Sequence, residues 1–149
     1  MSERVFLDTN LLLDVVLERP GFEAPLQIIQ LGAEGKVELF TSYLSMANIA
    51  YILRKNYQGA LIPTLKQLSL LVKVLPMDKS QLDDSMFLEG PDFEDLAQAV
   101  CAVSGGCSVL LTHNPKHFRI KQGLLSGWKS PQILTPEAFL GAMRVIQVK

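Results

Sequence analysis

The sequence predicts an α/β fold in three layers (α/β/α), with a central, mostly parallel sheet of four to five strands. Short apolar runs alternate along the chain with segments in which apolar residues recur every three to four positions. This alternation is typical of parallel strands joined by helices that cover both faces of a sheet. A chain of 149 residues, 48% hydrophobic and 19% charged, is enough for one well-filled core. We therefore expect a single domain over residues 1–149.

The first half of the chain predicts two strands and four helices. Pro20 and Gly21 separate the first helix from the second, and Ser42 is a suitable N-cap for the third. In chain order, the predicted elements are a strand at Val5–Leu7, helices at Leu11–Leu17 and Ala24–Ala33, a strand at Val37–Thr41, and helices at Tyr43–Tyr57 and Ile62–Val72.

The second half contains the helix with the clearest start and end. Asp92 is suited to cap it, Glu94 and Asp95 place negative charge in its first turn, and Gly105 ends it. The other predicted elements are a strand at Val74–Met77, a short helix at Ser80–Leu88, a strand at Ser108–Leu111, an edge strand at Ile133–Leu134 and a C-terminal helix that opens at Thr135–Glu137.

Charge and composition limit the kind of partner. The net charge of −1 and the pI near 6.1 argue against a general electrostatic attraction to nucleic acid, so such contact needs a local basic patch.

We expect no signal peptide at MSERVFLD and no membrane helix, because no apolar stretch approaches the roughly 20 residues that a membrane helix requires. Cys101 and Cys107 are predicted to be core residues of a protein in the reducing cytoplasm.

Polar side chains follow two of the predicted strands. Asp8 comes directly after the first strand, and Asn114 follows the strand at Ser108–Leu111. Ligands of parallel sheets bind beyond the carboxyl ends of the strands, and Asp95, at a helix start, can project toward the same cleft. Carboxylate and amide oxygens are the ligands that Mg2+ and Mn2+ prefer. The sequence therefore predicts a metal site that positions a phosphodiester.

Several sequence blocks, in this order, resemble the PIN domain family, which includes metal-dependent ribonucleases and the toxins of many bacterial toxin–antitoxin pairs. The blocks are VFLDTNLLLDVV, TSYLSMANIAYILRK, and DFEDLAQAV followed by VLLTHNPKHF. Together they cover Val5 to Phe118, most of the chain. The resemblance implies a PIN-like fold and a ribonuclease activity.

The resemblance also implies four acidic positions around one or two divalent cations. Asp8 matches the first position and Asp95 the third, so these two are predicted to hold Mg2+ or Mn2+. The second position, usually glutamate, falls on Asn48, and the fourth, usually aspartate, falls on Asn114. Asp8, Asn48, Asp95 and Asn114 are thus the predicted catalytic residues. Two carboxylates hold a cation more weakly than four, and Asp92 or Asp14 are candidates to supply the missing charge.

Other residues are predicted to support these four or to contact RNA. Thr9, Asn10, Asp92 and Thr112 are expected around the acidic positions. The basic residues predicted to contact RNA phosphates are Arg54 and Lys55, at the end of a helix, and Lys116 and Arg119, in a basic run with His117 and Lys121 near the cleft.

The residues alone leave structural roles open at each position. These roles are helix capping for Asp8 and Asp92, interaction with the helix dipole for Asp95, a core contact to Ser45 or a strand end for Asn48, a turn before Pro115 for Asn114, backbone hydrogen bonds for Thr9 and Thr112, and solubility for the basic residues. His113 and His117 have the spacing of a zinc pair, but Pro115 lies between them, no helix is predicted there and no third ligand is evident.

The leading hypothesis is a metal-dependent endoribonuclease that cleaves single-stranded RNA, the toxin of a toxin–antitoxin pair. The resemblance implies an antitoxin partner and a homodimer. The main alternative is a PIN-like module, catalytically weak or silent, that binds RNA or protein. A haloacid-dehalogenase-type phosphatase is disfavoured, because it needs a second aspartate where this chain has Asn10.

Overall fold

A computed structural model of the chain describes residues 2–56, 59–88, 90, 92–118 and 129–148. The strands are β1 (Glu3–Leu7), β2 (Val37–Ser42), β3 (Lys73–Leu75), β4 (Val109–Leu111) and β5 (Gln132–Leu134). The helices are α1 (Thr9–Leu17), α2 (Glu23–Ala33), α3 (Tyr43–Asn56), α4 (Leu61–Leu71), α5 (Lys79–Phe87), α6 (Phe93–Ser104), α7 (Pro136–Val148) and a 3-10 helix at Pro115–Phe118.

The strands form one sheet in the order β3-β2-β1-β4-β5. Every neighbouring pair is parallel, and Val5 of β1 lies opposite Leu39 of β2 and Val109 of β4. The predicted three-layer fold is therefore confirmed, with five strands and β5 at one edge. The ends of the predicted elements differ from the observed ends by one or two residues, and Tyr57 lies outside the described residues.

Alternating side chains of β1 divide the core between the two faces of the sheet. Val5 and Leu7 belong to a cluster that includes residues of α1, α2, α3, α4 and α7. Phe6 points to the other face, where it packs in a cluster with Ala99 and Cys101 of α6. Because successive side chains of a strand alternate in direction, an uninterrupted apolar run such as this one requires cover on both faces.

The carboxyl ends of β1 and β4 meet at the point where the strand order reverses. From β1 the chain passes through α1 and α2 to β2 on one side, whereas β4 pairs with β1 on the other. The amide of Asp8 donates a hydrogen bond of 3.1 Å to the carbonyl of Leu111, which extends this pairing to the end of both strands. Such a reversal leaves a crevice in which parallel sheets bind their ligands.

Side-chain caps set the starts of the helices around this crevice. Ser42 accepts a hydrogen bond of 2.9 Å from the amide of Ser45, and Asp92 accepts one of 3.1 Å from the amide of Asp95, so both predicted caps are confirmed.

The expectation that no helix covers His117 is wrong, because the turn after Asn114 closes into the 3-10 helix. In the part of the chain that the structure describes, no helix is long and apolar enough to cross a membrane.

Candidate active site

Asp8 is a buried carboxylate held by two donors. Its side chain caps α1 by accepting a hydrogen bond of 2.8 Å from the amide of Thr9 at Oδ1, and the hydroxyl of Thr112 donates to Oδ2 at 3.1 Å. Burial is the largest influence and raises the pKa of Asp8, while the hydrogen bonds from Thr112 and Thr9 lower it by less. The negative charge of Glu94 raises this pKa further. Asp8 therefore both caps α1 and lies at its predicted position at the edge of the sheet.

Asp95 lies in the first turn of α6 and interacts electrostatically with Asp8. Burial, followed by the charges of Asp92 and Asp8, raises the pKa of Asp95 to about 6. His117 lowers it by less, and its Nδ1 lies 3.6 Å from Oδ2 of Asp95. The charge of Asp8 thus contributes to the raised pKa of Asp95, a contribution that a nearby cation would offset.

Glu94 was not predicted as a site residue, and its charge acts on both Asp8 and Asp95. The amide of Asn48 donates a hydrogen bond of 2.7 Å from Nδ2 to Oε1 of Glu94. The alternative in which Asn48 contacts Ser45 or a strand end is therefore wrong. Instead, the contact joins α3 to α6 and places a carboxylate beside the second acidic position, where this chain has an amide. The acidic run in DFED was the only sequence indication of this arrangement.

Asn114, Thr112 and Asn10 line an open cleft of about 470 Å³ together with Asp8. The backbone amide of Asn114 donates to the Thr112 hydroxyl at 3.2 Å, so Thr112 supports both Asp8 and the turn that carries Asn114. Asn10 is exposed and contacts Arg19 through its backbone carbonyl and its side-chain oxygen. The structure therefore places Thr112 and Asn114 beside Asp8 in this cleft, whereas the described contacts of Asn10 go to Arg19.

A buried polar network links the elements that carry the site. Gln98 accepts a hydrogen bond from Ser42 at 2.6 Å and donates from Nε2 to Ser45 at 2.6 Å and to Thr9 at 3.0 Å. Thr9 and Ser45 are themselves 2.8 Å apart. These four residues are at most 5% exposed, and they tie α1, α3 and α6 together. Thr9 directly follows Asp8, Ser45 lies three residues before Asn48, and Gln98 lies three residues after Asp95. Gln98 was not among the predicted site residues, although a glutamine within LAQAVCAV is a polar exception in an apolar helix face.

The donor set fits a hard divalent cation that keeps part of its water shell. Within the described ranges, no three His, Cys, Asp or Glu side chains are grouped as a protein-only metal cage, and His113 and His117 form no zinc site. Mg2+ is typically bound through one or two carboxylates, several waters and substrate phosphates. Asp8 and Asp95 supply two such carboxylates, and burial raises the pKa of both.

Among the described residues, those predicted to contact RNA lie on two separate elements. Arg54 and Lys55 end α3, each with its charged group 5.0 Å from the ring centroid of Tyr51. Lys116 is exposed in the 3-10 helix that follows Asn114. Arg119 and Lys121 lie outside the described residues. Asp92 is exposed and acts as the cap of α6, so its observed contact is structural.

The chain is similar to known proteins in both sequence and fold. The model of the PIN domain family matches residues 4–116. Ribonuclease VapC1 from Aquifex aeolicus (strain VF5) is 28% identical over 123 residues, which cover 78% of this chain and 85% of that protein. A structure of VapBC2 from Rickettsia felis bound to a promoter DNA fragment has a TM-score of 0.64 and 18% identity, covering 85% of this chain and 99% of the matched chain.

A structure of VapBC-1 from nontypeable Haemophilus influenzae has a TM-score of 0.59 and 21% identity, covering 90% of this chain and 98% of the matched chain. At these identities the two structures show the shared fold. The family match covers well over half of the sequence, including Asp8, Asn48, Asp95 and Asn114. The chain belongs to the PIN domain family.

Proposed function

We propose that this chain is a divalent-metal-dependent endoribonuclease that cleaves single-stranded RNA and acts as the toxin of a toxin–antitoxin pair. The observation that carries the proposal is the buried carboxylate of Asp8 at the reversal point of the sheet, with one oxygen bound by the Thr9 amide and the other by the Thr112 hydroxyl. Asp95, whose pKa is raised in part by the charge of Asp8, is the second carboxylate. The similarity to Ribonuclease VapC1 supports the same activity.

In this proposal Asp8 and Asp95 hold Mg2+ or Mn2+, and Asn48 and Asn114 are neutral oxygen donors or orient water. The cation, when bound, offsets negative charge on the phosphodiester and increases the acidity of water in the cleft. In-line attack of water on the phosphorus would leave a 3′-hydroxyl and a 5′-phosphate.

The remaining residues orient the carboxylates. Thr112 and the Thr9 amide fix the two oxygens of Asp8, and the cap by Asp92 fixes the first turn of α6 that carries Asp95. Glu94 holds Asn48 toward the same helix and adds negative charge beside the cation. Lys116, in the 3-10 helix that follows Asn114, is proposed, with Arg54, Lys55 and Arg119, to contact RNA phosphates.

The proposed partners are an antitoxin protein that covers the acidic cleft and a second copy of this chain. Toxins of such pairs occur in the PIN family, and the likeness to the VapBC2 and VapBC-1 structures supports an antitoxin partner. Cleavage in the cytoplasm, on accessible RNA, is the cellular setting of this proposal.

A cleavage assay on labelled single-stranded RNA with Mn2+ tests the activity. We expect cleavage by the wild type, none in EDTA, and a loss of at least about a hundredfold in Asp8→Ala, because Asp8 is the central carboxylate of the site. Asp83→Ala is the control, since Asp83 is an exposed carboxylate paired with Lys79 on α5. Cleavage that survives Asp8→Ala would overturn the assignment.

A second candidate function follows from Asn48 and Asn114, which replace carboxylates at two of the four acidic positions. A site with so little charge is suited to a PIN-like module that binds RNA or protein without cleaving it. RNA binding by the wild type, with no cleavage at millimolar Mn2+ and no bound metal, would favour this function.

A further inference from the structure

A second group of charged side chains lies in the same cleft as Asp8. The Asp14 side chain is only 8% exposed, with Oδ1 placed 2.9 Å from Nε of Arg19. Its Oδ2 accepts a hydrogen bond of 2.5 Å from Nε2 of His113. Because both carboxylate oxygens are engaged by these partners, Asp14 is an anchor for Arg19 and His113, not the additional metal ligand considered from the sequence.

The end of α1 directs Arg19 back toward Asp14. Glu18 follows the helix in the left-handed conformation, with φ of 49°, and the amide of Arg19 donates to the Asp14 carbonyl at 3.0 Å. This turn reverses the chain, so that a side chain placed after the helix lies against its own last turns. Arg19 therefore has a defined position on the wall of the cleft.

The guanidinium of Arg19 keeps donors available for a ligand. Nε forms the ion pair with Asp14 without an aligned hydrogen bond, and Nη2 makes contacts of 3.2 and 3.4 Å to Asn10. Among the residues that the structure describes, no acceptor binds Nη1. The side chain is 39% exposed and lines the cleft beside Asp8, Thr112 and Asn114. A guanidinium fixed on one edge and open on the other is suited to bind phosphate oxygens.

We propose that Arg19 binds a phosphodiester group of the RNA strand in this cleft, and that Asp14 and His113 are positioning residues that hold its guanidinium. The inference rests on the proposed function for the identity of the strand. It adds a binding site that requires no metal, because the contacts that position Arg19 are formed by the chain itself.

The test is binding of a fluorescently labelled single-stranded RNA in EDTA, measured by anisotropy over a range of salt concentrations. Arg19→Gln is expected to weaken binding about tenfold, the effect of one charged hydrogen-bonded contact. It should also reduce the slope of log affinity against log salt by about 0.7, because one phosphate contact is lost. Lys66→Gln, the same charge change on the exposed surface of α4, is expected to change neither quantity.

Arg19→Lys keeps the charge but lacks the planar fork of donors. It is expected to retain the salt slope and to weaken binding about threefold. If circular dichroism shows that Arg19→Gln is unfolded, Arg19→Lys is used for the test in its place. In a second arm, single neutral methylphosphonate linkages are placed along the RNA. One linkage should weaken binding to the wild type and have no effect on Arg19→Gln.

Three results would overturn the inference: equal affinity of the Arg19 variants and the wild type, no linkage with this selective effect, or no RNA binding by the wild type in EDTA. Failure of the proposed function is distinguishable from these results. RNA binding that depends on Arg19, without cleavage in Mn2+, would reject the nuclease and retain the phosphate site. Cleavage in Mn2+, together with RNA binding that does not depend on Arg19, would support the nuclease and reject the phosphate site.

Discussion

The hydroxyl of Thr112 donates a hydrogen bond of 3.1 Å to Oδ2 of Asp8, joining the carboxyl ends of β4 and β1. The two residues are far apart in sequence and meet because their strands are parallel neighbours at the reversal point of the sheet. This hydrogen bond lowers the pKa of Asp8, against the opposing effect of burial. Thr112 therefore helps to keep a buried carboxylate charged.

The Thr112 hydroxyl is expected to matter for metal binding. Thr112→Val removes the donor at nearly constant volume, so the pKa of Asp8 should rise and Mn2+ should bind about five- to tenfold more weakly at pH 7, the effect of about 1 kcal/mol. Calorimetric titration measures this change, and Thr112→Ser, which keeps the hydroxyl, is the control. Equal Mn2+ affinity in the Val and Ser variants would contradict this role.

The raised pKa of Asp95 predicts how stability depends on pH without metal. The folded-state pKa of Asp95 is about 6, raised from 3.8 mainly by burial. Between these values the folded protein binds protons more tightly than the unfolded chain, so this group destabilises the fold as the pH rises from about 4 to 6. In EDTA, Asp95→Asn should have the same Tm as the wild type near pH 4 and a higher Tm at pH 7.

The same melts, measured with Mn2+ at pH 7, provide a second check. The cation should raise the Tm of the wild type and leave that of Asp95→Asn nearly unchanged, because bound ligand stabilises only the state that binds it. Asp83→Asn, at an exposed position, serves as the control and should show no gain at pH 7. A lower Tm for Asp95→Asn than for the wild type at pH 7 in EDTA would show that an ionised Asp95 does not destabilise the fold.

The buried network around Gln98 predicts a large effect on stability. Gln98→Leu leaves the hydroxyls of Thr9, Ser42 and Ser45 without their shared partner, and unsatisfied buried groups of this kind destabilise by roughly 1–3 kcal/mol. We expect a loss of about 3 kcal/mol in urea unfolding. Gln67→Leu, the same change on the exposed surface of α4, should lose less than about 0.5 kcal/mol. Equal losses in the two variants would contradict the importance of the network.

Replacing the amide of Asn48 with a carboxylate is expected to increase the affinity for metal. Asn48→Glu introduces a carboxylate next to Glu94, close to Asp95, and should tighten Mn2+ binding about tenfold, because negative charge at the site favours the cation. Asn48→Gln keeps a neutral amide and serves as the matched variant. If calorimetry gives the same affinity for both variants, position 48 does not belong to the metal site.

Sequence patterns predicted the sheet and the positions of Asp8, Asp95 and Asn114, because strand ends and helix starts are local features. The contacts among these residues were less predictable. Glu94 approaches Asn48 only because α3 and α6 pack together, and Arg19 returns to Asp14 only because Glu18 takes a left-handed conformation without a glycine. The first contact depends on packing between distant segments and the second on a left-handed turn that no glycine marks, and periodicity encodes neither.

Binding of Mn2+ by Asp8 and Asp95 is the central claim, and isothermal titration calorimetry tests it most directly. The titration compares the wild type with the Asp8→Ala, Asp95→Ala double variant, after circular dichroism has shown that both are folded. We predict a saturable heat of binding in the wild type and none in the double variant. Equal heats in the two proteins, or no heat in either, would contradict the claim.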